Sequence, residues 1–77
     1  MNKETIQAMI QAGMPNAKVE VYGDDGQHFE AVVVSEEFDG KRSLQRHQMV
    51  YATLGEKMGQ EIHALRLKTL TPDEQER

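Results

Sequence analysis

Two stretches with β-strand chemistry, "QHFEAVVVS" at residues 27–35 and "IHALRLKTL" at residues 62–70, flank a long segment that reads as helix. In that segment, "SLQRHQMVYATLGEKMGQ", Leu44, His47, Tyr51, Leu54 and Met58 recur at steps of three and four, the periodicity of a helical stripe. A tight turn joins only antiparallel strands, whereas a parallel pair needs a crossover of a dozen residues or more, usually helical and right-handed. The spacing therefore predicts a parallel pair. "TLGE" at residues 53–56 has the Thr-x-x-Glu form of a capping box, which predicts that a second short helix starts there.

The rest of the chain fits around this unit. "NKETIQAMIQAGMP" places Ile6, Met9, Ile10 and Met14 at helical spacing, with Asn2 as N-cap and Gly13 and Pro15 as the stop. "AKVEVYG" alternates Val19 and Val21 against Lys18, Glu20 and Tyr22, and "GDDG" supplies turn chemistry before the second strand. These two strands form a hairpin around residues 23 to 27. The expected order is αββααβ: an α+β fold with a three-stranded mixed sheet, strand two in the centre and the helices on one face. Residues 1–70 make one domain. "TPDEQER", 71–77, is a short acidic tail in which Thr71, Pro72 and Glu74 could cap a turn too short to persist alone.

Chemistry is limited by what the chain lacks. With 13 acidic and 9 basic residues the formal charge is −4, unfavourable for non-specific binding to nucleic acid or anionic membrane. Such a short chain buries only roughly 60–65% of its unfolded surface, too little to wall off a sizeable active site. There is no cysteine, so disulfides are excluded and any metal ligand from this chain is His, Asp or Glu. No leader-like or membrane-length apolar run is present. The expectation is a cytoplasmic protein, monomeric or weakly dimeric, with no membrane association.

Among candidate residues, His63 is conspicuous because strand alternation puts it on the face of Leu65, Leu67 and Thr69, with Ile62 on the other. A core histidine satisfied by a hydrogen bond, a catalytic acid/base and half of a metal site are all open. Parallel neighbours begin at the same end of a sheet, about 4.8 Å apart, so His28 and His63 are expected near each other on one rim. Two imidazoles are fewer ligands than a zinc site takes. Asp24 and Asp25 in the adjoining turn could add an oxygen, although turn aspartates usually serve turn geometry. His47 falls in the helical stripe and reads as structural. No nucleophilic or paired-carboxylate constellation is visible, so an enzyme is not expected. Lys41, Arg42 and Arg46 at the crossover helix start form the one basic patch, suited to phosphate contact.

Residues 28–72 resemble the BolA family. The matching parts are Phe38-x-Gly40, the run Arg46-His47-x-x-Val50-Tyr51, and "IHALRLKTLTP" with its His63. The resemblance implies an αββααβ fold similar to the type II KH domain. It also implies a monothiol glutaredoxin as partner, the pair sharing a [2Fe–2S] cluster. The glutaredoxin contributes its cysteine and a bound glutathione thiol, and this chain contributes His63, with His28 as second ligand of the histidine-type loop. Imidazole must be neutral to bind, which makes such a site acid-sensitive. Iron–sulfur trafficking or iron and stress regulation is the implied role. The family also has members described as transcriptional regulators, which makes DNA binding through Lys41, Arg42 and Arg46 the alternative. The Gly-x-x-Gly clamp of KH domains is absent, since the candidate loop reads "FDGKRS".

Overall fold

The computed structural model describes residues 1–76. It contains helix α1 (Lys3–Gly13), strands β1 (Lys18–Tyr22) and β2 (His28–Val34), helix α2 (Ser43–Leu54), strand β3 (Ala64–Leu70) and a terminal helical turn α3 (Pro72–Gln75), with single 3-10 turns at Glu36–Phe38 and Gly55–Lys57. The sheet order is β1-β2-β3. β1 pairs antiparallel with β2, and β2 pairs parallel with β3 in the register Phe29–Leu65, Ala31–Leu67, Val33–Thr69. This is the α+β mixed sheet that the long helical crossover demands.

One sheet face carries the core. Val19, Val21, Phe29, Ala31 and Val33 are buried there and cluster with Ile6, Ile10 and Met14 of α1 and Val50 and Leu54 of α2. The period-two alternation of the strands thus meets the 3.6-residue stripes of both helices. Asn2 caps α1 through its Oδ1, which accepts from the Thr5 N–H at 2.8 Å. Gly13, at the end of α1, lets the two helices approach closely: a Cβ there would lie 2.5 Å from Thr53 Cγ2. Phe38 is fully buried, and Gly40 after it has φ +76°, a left-handed turn that glycine enters without strain. The Phe38-x-Gly40 element is therefore a core plug followed by the bend into α2.

Three local expectations are corrected. The crossover holds one twelve-residue helix rather than two helices. Thr53 stays inside α2 and donates its hydroxyl to the Val50 carbonyl at 2.6 Å, so the "TLGE" capping box does not form and only a 3-10 turn follows. The exposed side of α2 is also displaced: Leu44 is 69% and Tyr51 36% exposed, while Val50 and Leu54 face the core. His47 meets Tyr51 edge-on, with ring centroids 6.4 Å apart. Finally, β3 starts at Ala64, not Ile62. Met58 and Ile62 form an isolated bridge across a tight loop in which Gly59 has positive φ, and this loop turns Ile62 into the core at 0% exposure.

In the acidic segment 71–77, Thr71 and Glu74 form a reciprocal capping box and Pro72 occupies the first turn. Arg46 of α2 then grips Glu74, with Nη1 to Oε1 at 2.7 Å and Nη2 to Oε2 at 3.2 Å. The turn is thereby tied to α2 rather than left as an isolated peptide. Among the described residues no helix is long and apolar enough to cross a membrane.

Candidate metal-ligating rim

The β1–β2 turn, the start of β2 and the approach to β3 meet at one end of the sheet. His28 opens β2 opposite Ala64, and His63 immediately precedes Ala64 in the chain. The parallel register therefore brings both histidines to the same rim. It also places them one position out of step, with Ala64 rather than His63 directly across from His28.

His63 is exposed and lies just outside the strand. Strand alternation carried back from Leu65 would have put it on the core face. The Met58–Ile62 loop breaks that alternation, because Ile62 takes the buried position instead. Among the described residues the His63 ring has no hydrogen bond or ion pair, so it is not a core histidine satisfied by backbone.

His28 is exposed too, with 72% of its side chain accessible, but it is held. Asp25 Oδ1 accepts the backbone N–H groups of Gln27 at 2.9 Å and His28 at 2.8 Å, closing the turn. The other oxygen, Oδ2, lies 2.7 Å from His28 Nδ1. The His28 backbone N–H, then its ring, then the Gln27 N–H hold the Asp25 carboxyl well below the usual carboxylate range. Gly23 completes the corner: a Cβ there would lie 2.7 Å from the His28 carbonyl oxygen and 2.6 Å from the Phe29 ring. The sequence marks Asp25 as a turn residue, and its Asp-x-x-His spacing was the available signal for a second role as partner of His28.

Around the rim, Tyr22, Glu30 and Arg66 line a shallow groove of about 670 Å³ that includes His28 and runs onto the helix-free sheet face. No group of three or more His, Asp or Glu side chains able to hold a metal exists among the described residues. Asp25 has both oxygens occupied by the turn and the ring. The donor set presented outward is thus two imidazoles, which fits a metal centre completed by ligands from another molecule and does not fit a self-contained one.

The basic patch separates into two kinds of residue. Lys41 and Arg42 are exposed at the start of α2. The Arg46 side chain is only 13% exposed. Besides gripping Glu74, Arg46 donates to the Lys41 carbonyl at 2.8 Å and to the Thr69 carbonyl at 3.3 Å, and its guanidinium lies 5.8 Å from the centre of the Phe38 ring. These contacts raise its pKa further, chiefly through Glu74. Nothing in the sequence near Arg46 announces a partner in the terminal turn.

Comparison with known proteins places this architecture. A solved BolA protein homologue from Coxiella burnetii superimposes with a TM-score of 0.89 at 46% identity, covering 100% of this chain and 99% of that one. The protein BOLA2 of Arabidopsis thaliana is 45% identical over 71 residues, 88% of this chain and 75% of the relative. The DNA-binding transcriptional regulator BolA of Escherichia coli is 49% identical over 49 residues, 64% of this chain; the match spans 47% of that relative's length. The family model described as BolA-like protein matches residues 5–74. With that match running from α1 through the capped terminal turn, the chain belongs to the BolA-like protein family.

Proposed function

We propose that this chain is a non-enzymatic adaptor that pairs with a monothiol glutaredoxin and co-ligates a [2Fe–2S] cluster through His63 and His28, in iron–sulfur trafficking or iron and stress regulation. The observation that carries the reading is the rim itself: two exposed imidazoles at the starts of adjacent parallel strands, with no group of three His, Asp or Glu able to hold a metal among the described residues. Such a half-site gains a purpose when thiolates arrive on a partner. The cluster supplies the redox chemistry when bound, and histidine in place of thiolate raises the potential of such centres. This chain supplies orientation. β2 and β3 bring the two histidines to one rim, the Asp25 turn fixes His28, and the groove beside the rim offers a surface for contact.

The test is co-reconstitution of this protein with a monothiol glutaredoxin, glutathione, iron and sulfide, followed by visible absorption and circular dichroism. A spectrum distinct from that of the glutaredoxin alone, and lost in His63→Ala, is expected. A spectrum indifferent to this protein would overturn the adaptor reading.

A second reading, DNA-binding regulation, draws on the name of the Escherichia coli relative and on the exposed cations Lys41 and Arg42 at a helix start. The charge of −4 and the commitment of Arg46 to Glu74 weigh against it. Its test is a salt titration of duplex binding, in which Arg42→Ala should weaken affinity and flatten the salt slope.

A further inference from the structure

We infer that Asp25 is a positioning residue for His28, holding the neutral ring in the tautomer that carries its proton on Nδ1 and so turning Nε2 outward as the donor atom. The inference rests on the adaptor reading only for its use; the tautomer itself is a property of the chain alone. An ionised carboxylate only accepts hydrogen bonds. With Asp25 Oδ2 at 2.7 Å from Nδ1, Nδ1 must donate, and a neutral imidazole then has its lone pair on Nε2. Free histidine prefers the opposite arrangement, with the proton on Nε2, so the carboxylate reverses an intrinsic preference.

Two features make this more than a chance surface contact. The same carboxylate is clamped by two backbone N–H groups through its other oxygen, Oδ1, so it does not swing away as an exposed side chain otherwise would. The turn is also closed against the start of β2 by Gly23, whose missing Cβ leaves room for the His28 carbonyl and the Phe29 ring. Carboxylate, imidazole and open donor nitrogen make up the arrangement by which metal-binding histidines are generally oriented. His63 makes no such contact among the described residues. The two rings of the rim are therefore unequal: one pre-set, one free to choose its tautomer and rotamer when a partner docks.

The decisive variant is Asp25→Asn. Its Oδ1 can still accept from Gln27 and His28, which keeps the turn, but an amide N–H₂ now faces Nδ1 and drives the proton to Nε2. Long-range proton–nitrogen correlation spectra of the protein alone, in mildly alkaline buffer, read the tautomer directly. The expected result is a wild-type His28 dominated by Nδ1–H, an inverted ratio in Asp25→Asn, and a His63 that is the same in both. A wild-type His28 carrying its proton on Nε2 would overturn the inference whatever the protein binds.

The second measurement uses the reconstituted glutaredoxin complex. Asp25→Asn is expected to reproduce the change in visible circular dichroism caused by His28→Ala. If His28→Ala alters the spectrum and Asp25→Asn does not, the positioning role fails while the adaptor reading stands. If His28→Ala leaves the spectrum untouched while His63→Ala abolishes it, His28 is not a ligand and the positioning role fails with it.

Discussion

At the scale of single residues, the rim shows how exposure separates function from stability. His63 is exposed and has no partner among the described residues, so His63→Ala should change unfolding free energy by no more than about 0.5 kcal/mol, as surface substitutions do. It should nevertheless remove the visible spectrum of the glutaredoxin complex. A chemical denaturation curve beside the absorption spectrum separates the two effects, and a large loss of stability would return His63 to a structural role. Gly23 is the opposite case. Its Cβ position is blocked by backbone and by an aromatic ring, so Gly23→Ala should cost about 1–3 kcal/mol, as overpacking does, and should displace the His28 backbone signals in an amide correlation spectrum. The rim was legible because strand direction alone decides which strand starts share an end. What lay beyond the sequence pattern was orientation: an isolated bridge at Ile62 ended the alternation one residue before His63 could join it.

At the scale of elements, close approach and ion pairing decide what can be changed. Gly13→Ala removes a poor helix former, a substitution worth up to about 1 kcal/mol in the helix's favour. The new methyl would nevertheless lie 2.5 Å from Thr53 Cγ2 and 2.7 Å from Thr53 Cβ. β-Branched threonine has little rotamer freedom in a helix, so α1 and α2 must move apart, and the variant should be less stable than wild type by thermal melting. The pair Gly13→Ala with Thr53→Ala should recover most of the loss, which a double-mutant cycle would show. The Arg46–Glu74 grip ties α3 to α2 across a long stretch of sequence, and no local pattern encodes such a pairing. Arg46→Ala also strands the Thr69 and Lys41 carbonyls, and should destabilise by about 1–3 kcal/mol. Any loss of DNA binding in that variant would therefore report structure, which makes Arg42→Ala the cleaner test of the alternative function.

At the scale of the whole molecule, a 77-residue chain has an unfolding free energy of only about 4–12 kcal/mol. Its helices cover one sheet face, and the opposite face carries Lys18, Glu20, Tyr22, Arg66 and Lys68 exposed to solvent. Most apolar burial is thus concentrated in one layer, and Phe38 is the largest of its fully buried side chains. Truncating a buried phenylalanine typically costs about 3–5 kcal/mol, because the cavity adds to the lost transfer energy. That is a quarter or more of the stability the whole chain can have. Phe38→Ala should therefore melt well below wild type, with a large unfolded fraction at physiological temperature. Phe38→Leu, which fills most of the volume, should remain folded. Because a single layer holds every element, the loss should appear together in far-ultraviolet circular dichroism and in the amide signals of the distant His28 turn. A variant in which the rim keeps its native signals while the α2 end melts would show that the domain is not one cooperative unit, and that the histidine rim stands on the β-hairpin alone.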